Sequence, residues 1–154
     1  MLGFLVAVFS SSAQNSDYTY TTNNGTITIT RYTGPSGAVT IPGTINGLPV
    51  ISIEAQAFSG RSGLTSVTIP DTVTSIGYGA FDSCSSLTNV TIGNSVTWIG
   101  ERAFYVCTKL TSLTIPNSVT HIGDAAFREC SSLTSVTIPN GVTNIGGCSV
   151  SAAA

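Results

Sequence analysis

Apolar and polar positions recur along this chain with a fixed period of 23 residues. Leu64, Leu87, Leu110 and Leu133 each open a segment of the same grammar. Val67, Val90, Leu113 and Val136 follow, then Ile69, Ile92, Ile115 and Ile138. Polar residues separate them, and this period of two predicts a strand with one buried face. Pro70, Pro116 and Pro139 stand just past that strand, where no ladder donor is needed, and Gly93 takes the same slot. A second short extended piece is predicted at residues 73–76 and its copies, carrying the ladders Val73/Val96/Val119/Val142 and Ile76/Ile99/Ile122/Ile145. Gly77, Gly100, Gly123 and Gly146 then break the chain. The Gly-x-x-Ala-Phe run after each break reads as a turn followed by a short helical or 3-10 segment on the outer side. An apolar residue that returns in every coil stacks on its own counterpart, about 4.8 Å away if strands pair coil to coil. Such self-stacking ladders are the core of a solenoid.

An earlier unit carries the same register in weaker form. Val39, Ile41 and Pro42 match Val67, Ile69 and Pro70, and Val50, Ile53, Ala57 and Phe58 match Val73, Ile76, Ala80 and Phe81. Extra residues around 43–48 separate its halves, as a loop insertion would. Arg61 stands where the later units have Cys84, Cys107 and Cys130, so this coil is expected to be open or solvated there. Ahead of it, residues 18–32 read as a β-hairpin about Asn23-Asn24-Gly25, a strong turn signal. A solenoid must hide the end of its core, and the hairpin is the expected N-terminal cap.

The consensus Leu-x-x-Val-x-Ile-Pro-x-x-Val-x-x-Ile-Gly-x-x-Ala-Phe-x-x-Cys resembles the BspA-like bacterial leucine-rich repeat over about residues 36–150. The resemblance implies a curved solenoid with strands on its concave side, in exported or cell-surface proteins linked to adhesion and protein binding. It supplies no catalytic residues. The expected fold is a β-rich α/β repeat: a right-handed leucine-rich-repeat solenoid with a parallel β ladder, short outer helical or 3-10 turns and the hairpin cap. The expected division is a signal-peptide-like segment at 1–13, the cap at 14–35 and the solenoid at 36–154. Its units are 36–63, 64–86, 87–109, 110–132 and 133–154, the last one degenerate.

Both ends of the chain admit two readings. Residues 1–13 have an apolar run from Leu2 to Phe9 and a small-x-small pattern at Ser11 and Ala13. They are expected to be a secretory leader, with a capping strand as the alternative; the run is too short to span a bilayer. At the other end the Ala-Phe register is lost after Gly146, so the array is expected either to continue beyond Ala154 or to fray.

Charge is sparse, at 8% of residues with a net value of −2. No basic stripe suits nucleic acid, and no basic amphipathic stretch suits a membrane surface. His121 is the single histidine, and no phosphate loop, zinc motif or calcium loop is present, so neither catalysis nor a cofactor is expected. The cysteine slot of Cys84, Cys107 and Cys130 lacks the close pairs a zinc site needs. It reads as a ladder of small buried residues beside Phe81, Phe104 and Phe127. In an oxidising compartment an adjacent pair could still form a bridge, because stacked Cα atoms fall within about 4.4–6.8 Å.

Thr68, Thr91, Thr114 and Thr137 form a polar ladder on the strand face, flanked by Ser66, Asn89, Ser112 and Ser135. Trp98 and His121 share the slot before the second isoleucine ladder and should stack at a flank of that face. The candidate binding face is therefore Thr68, Asn89, Thr91, Thr114 and Thr137 with Trp98 and His121. The bland alternative is that threonine simply suits a half-exposed strand. The function these features imply, mainly through the resemblance, is a secreted or cell-surface binding module that contacts an extracellular protein or glycan without catalysis. The competing reading is a structural spacer, or a fragment of a longer surface protein that associates end to end.

Overall fold

In a computed structural model, which describes residues 15–147, the repeats wind into a parallel β-solenoid of about five turns. The expected leader at 1–13, Cys148 and the end of the last unit lie outside the described residues. Two strands recur in each coil and build two sheets. The first sheet orders β3 (Gly37–Thr40), β6 (Leu64–Thr68), β8 (Asn89–Thr91) and β10 (Ser112–Thr114), all parallel. The second joins β5 (Leu48–Ile53), β7 (Ser75–Ile76), β9 (Trp98–Ile99), β11 (His121–Ile122) and β12 (Asn144–Ile145), also parallel. The remaining side of each coil is a run of turns, here called the outer wall.

The hairpin extends the second sheet. β1 (Tyr18–Asn23) and β2 (Thr26–Tyr32) pair antiparallel, and β2 lies parallel to β5. Asn24 and Gly25 both take positive φ, 49° and 77°, the two-residue turn whose twist matches paired strands. The cap buries Tyr18, Ile27, Ile29 and Tyr32. The insertion in the first coil folds as a second tight hairpin, with β4 (Thr44–Ile45) antiparallel to β5 and Ile45 fully buried.

The core is one continuous cluster of ladders. Phe58, Phe81, Phe104 and Phe127 are fully buried and stack coil on coil, with ring centroids 4.8, 5.1 and 5.6 Å apart. Tyr32 of the cap continues the column onto Phe58 at 5.0 Å. Offset stacking of this kind adds to the burial of large apolar rings. The cap therefore closes the core by supplying one more rung of the same aromatic column.

The outer wall contains no helix among the described residues, which corrects the expected helical or 3-10 turns. The one 3-10 turn, Asn15–Asp17, precedes the cap. The physical reason is competition for backbone hydrogen bonds. Alternate N–H groups of the wall donate upward to the next coil: Gly79 to Glu101, Phe81 to Ala103 and Ser83 to Tyr105, at 2.8–2.9 Å. Those between them close local turns, as Asp82 does onto the Gly79 carbonyl at 3.0 Å. A helix would spend every donor within the coil. Splitting the donors demands left-handed residues at fixed slots, and Gln56, Arg102 and Ala125 have φ of 59°, 55° and 52°.

The second left-handed slot holds Gly60, Ser83, Val106 and Glu129. Val106, at φ 57°, is β-branched, the residue type least suited to that region. Relief of left-handed strain is worth roughly 1–2 kcal/mol, less the extra chain entropy glycine loses on folding. Val106→Gly is therefore expected to stabilise the protein by about 0.5–1 kcal/mol in urea unfolding. A destabilised variant would show that the valine side chain contributes more than its backbone costs.

Candidate binding faces

On the first sheet, Val67, Val90 and Leu113 point into the core. Their neighbours must therefore point outward. Ladder pairing sets Ser66 beside Asn89 and Asn89 beside Ser112, and sets Thr68 beside Thr91 and Thr91 beside Thr114. All of these but Ser66, which is half-buried, are exposed. Among the described residues the side chains of Thr68, Asn89, Thr91 and Thr114 make no hydrogen bond, so their donors and acceptors are available to a ligand. A shallow groove of about 270 Å³ runs between the two ladders, lined in part by Asn89, Thr91, Ser112 and Thr114.

Thr137 is exposed but lies outside any strand. The stretch 134–138 leaves the ladder of β10. A hollow of about 260 Å³, lined by Leu113, Thr114 and Ile115 on one side and Thr137 and Pro139 on the other, opens between them. Val136 and Ile138 are only half-buried there.

Trp98 and His121 do stack, with ring centroids 3.5 Å apart and planes within 6°. They stand on the second sheet, in β9 and β11, away from the Thr68 ladder. In their row, Ser75 precedes Trp98 and Asn144 follows His121. Ser75 is small and bonds Ser52 through their hydroxyls at 2.8 Å, leaving the indole 47% exposed. The sequence grouping thus separates into a hydroxyl-rich face and an aromatic pair on different sheets.

Two further threonine ladders share the 23-residue spacing, and the sequence reading did not single them out. Thr74, Thr97, Thr120 and Thr143 each donate Oγ1–H to a carbonyl of the preceding coil, at 3.1–3.3 Å. Thr88 and Thr111 do the same at 2.9 and 3.1 Å. Their hydroxyls are committed to holding coils together. Thr68, Thr91 and Thr114, by contrast, combine exposure with hydroxyls that make no hydrogen bond among the described residues.

The cysteine ladder is internal. Cys84, Cys107 and Cys130 are buried, unbridged thiols. Each donates to a phenylalanine carbonyl of the preceding coil, Phe58, Phe81 and Phe104, at 3.1–3.2 Å. Burial pushes the Cys84 thiol up to about 12 and the Cys130 thiol up to about 11. Cys107 moves in the same direction, for the same reason and through its neighbouring thiols. The thiolate is the reactive form, so all three should resist a disulfide reagent at pH 8 in the folded protein and react once unfolded. A Cys148→Ser background isolates them. Because these pKa values are raised by folding, the thiols support stability below about pH 9, and that support is lost as pH climbs towards 11–12. Rapid labelling of the native Cys148→Ser protein would contradict the buried ladder.

Arg61 fills its slot differently from the open coil the sequence suggested. Its guanidinium lies 5.1 Å from the Tyr32 ring centroid and donates to the Gly34 carbonyl, bridging the cap to the first coil. On the outer wall, Tyr78 is exposed, whereas Tyr105 packs under Arg102 at 4.2 Å. Among the described residues no group of three or more His, Cys, Asp or Glu could hold a metal ion, and no helix is long and apolar enough to cross a membrane.

Residues 39–152 match the sequence profile described as BspA type leucine rich repeat region, in six copies. The chain is similar to the crystal structure of a leucine-rich repeat protein of T. pallidum, with a TM-score of 0.86 and 35% identity over 88% of this chain and 64% of that one. A leucine-rich repeat protein from Bacteroides ovatus gives a TM-score of 0.72 and 36% identity over 84% of this chain and 36% of that one. A leucine-rich cell surface protein from Faecalibacterium prausnitzii gives a TM-score of 0.59 and 30% identity over 92% of this chain and 52% of that one. The chain therefore spans less than two thirds of each of these relatives. No curated protein matches it.

Proposed function

Because the chain belongs to the BspA-type leucine-rich repeat family, we propose that it is a secreted or cell-surface binding module. It makes adhesion-type contact with an extracellular protein or glycan and carries out no reaction. The observation that carries this reading is the row of exposed, uncommitted hydroxyls of Thr68, Thr91 and Thr114 beside the Asn89 groove. A rigid parallel sheet holds them at fixed spacing, so a partner's polar groups meet pre-ordered donors and acceptors at little entropic cost. The relative described as a cell surface protein supports the location. Trp98 and His121 would serve as a separate aromatic anchor, since exposed tryptophan is a frequent centre of binding energy.

The test is binding to an immobilised panel of extracellular-matrix proteins and glycans. The triple variant Thr68→Lys, Thr91→Lys, Thr114→Lys places three bulky cations on the proposed face and is expected to abolish binding while the protein stays folded. Unchanged affinity would remove that face from the account, and loss on Trp98→Ala alone would move the site to the second sheet. One observation favours the spacer reading. Ile145 is 54% exposed where its counterparts Ile76, Ile99 and Ile122 are fully buried, an apolar rung on which a further coil or a second copy could stack. Growth of oligomers with concentration, abolished by Ile145→Lys, would support it.

A further inference from the structure

A cavity away from both binding faces lies between the hairpin cap and the first outer turn. It measures about 690 Å³, within the range of roughly 300–1,000 Å³ typical of small-molecule sites. Two of the chain's five cationic side chains, Arg31 and Arg61, line it, in a protein of net charge −2. No acidic residue lines it. Gln56 and Ser59 supply amide and hydroxyl groups around the same cleft, and Thr19 and Thr30, whose hydroxyls bond each other at 3.0 Å, each keep capacity for one further bond.

Two departures from regular structure place both arginines on the lining of this cleft. The β1–β2 register slips so that Thr19 faces Arg31 while Tyr20 faces Ile29, leaving Thr30 as an extra residue. A bulge of this kind re-aims neighbouring side chains, and here consecutive residues Thr30 and Arg31 both line the cleft. The second departure is Arg61, which replaces the buried cysteine of the later coils. Its contacts with Gly34 and Tyr32 fix the guanidinium in place. They leave donors to spare, since the group carries five. The Arg31 guanidinium has no ion-pair partner among the described residues.

We propose that this cleft binds an acidic saccharide, with Arg31 and Arg61 taking the carboxylate and the Thr19, Thr30, Gln56 and Ser59 groups meeting sugar hydroxyls. A guanidinium suits a planar carboxylate, which accepts two parallel hydrogen bonds from it. The largely polar lining suits a hydroxylated ligand better than an apolar one. The site is independent of the strand-face reading, because none of its lining residues belongs to the first sheet.

The test is calorimetric titration of the full chain with trigalacturonic acid, its methyl ester and a tri-glutamate peptide. The acid should bind saturably, and the ester, which keeps the shape and loses the charge, should bind far more weakly. Arg31→Gln, at an exposed position, should weaken binding of the acid about ten- to hundredfold, the factor for a lost hydrogen bond to a charged group, without shifting the melting temperature. Arg61→Gln should do the same, with its fold checked by near-ultraviolet dichroism. The proposal is overturned if the folded chain ignores the acid, if the ester binds as well as the acid, or if Arg31→Gln leaves affinity unchanged. Equal or tighter binding of the peptide would reassign the cleft to acidic protein segments and overturn the saccharide.

Discussion

Phe104→Ala is expected to lower the unfolding free energy by about 3–5 kcal/mol, the range for removing a fully buried phenylalanine from a core. Phe104 sits in the middle of the aromatic column, stacked on Phe81 with planes within 3° and on Phe127 within 10°. Its truncation empties the rung between the Phe81 and Phe127 rings. The coil above and the coil below each hold their shape through inter-coil hydrogen bonds, such as Phe81 N–H to Ala103 and Phe104 N–H to Ala126 at 2.8 Å. Those bonds resist collapse into the void, which places the cost towards the upper end of the range. Domain stabilities are about 5–15 kcal/mol, so the variant should be largely unfolded in modest urea. A solenoid couples each repeat mainly to its neighbours. Partial unfolding confined to coils near the substitution would therefore appear as a broadened transition. A loss below about 1 kcal/mol would show that the column is not the core's main support.

Gly100→Val should be comparably damaging through the opposite fault, overcrowding. A Cβ at Gly100 would lie 2.7 Å from the Gly77 carbonyl carbon and 2.9 Å from the Gly77 and Ile76 carbonyl oxygens. Every one of those atoms is backbone, so no rotamer change relieves the clash. Coils would have to separate at this corner, straining the Gly100 N–H bond to Ile76 at 2.8 Å. Overpacking typically costs about 1–3 kcal/mol, and contacts made by backbone atoms alone place this variant at or above the upper end. Gly25→Ala provides the contrast. That glycine has positive φ but nothing within 4 Å of an added Cβ, so only the left-handed penalty of roughly 1–2 kcal/mol applies. Equal losses in the two variants, measured by urea unfolding, would mean that close coil approach is not what the glycine slot requires.

Much of the fold was legible because a solenoid writes its core into the sequence as identical slots. The Val67/Val90/Leu113 row, the phenylalanine column and the cysteine ladder were readable from recurrence alone, since a residue that stacks on itself must recur. The cap was readable from Asn24-Gly25 between alternating runs. The outer wall was not, because Gly-x-x-Ala-Phe is compatible with a helical turn when viewed within one coil. The choice between helix and turns is made by carbonyls 23 positions away, as Glu101 is for Gly79. Threonine recurrence is silent in a related way. Thr68 and Thr74 recur equally well, yet only the structure shows that Thr74 spends its hydroxyl on Ile51 while Thr68 keeps its own free. Trp98 and His121 were correctly paired by slot, but the corner that moves them to another sheet leaves no periodic trace. Arg61 looked like a gap in a ladder because its partners, Tyr32 and Gly34, belong to the cap and not to the repeat.

The hydroxyl face of the first sheet is the proposed contact surface. Its most direct test is panel binding by three proteins side by side: the unaltered chain, the Thr68/Thr91/Thr114→Lys variant, and Tyr78→Lys on the outer wall, where the tyrosine is exposed. Saturable binding that survives Tyr78→Lys and disappears in the triple variant, with all three equally folded, is the predicted result. Binding that survives the triple lysine variant and is lost in Tyr78→Lys would contradict the claim and place the contact on the outer wall.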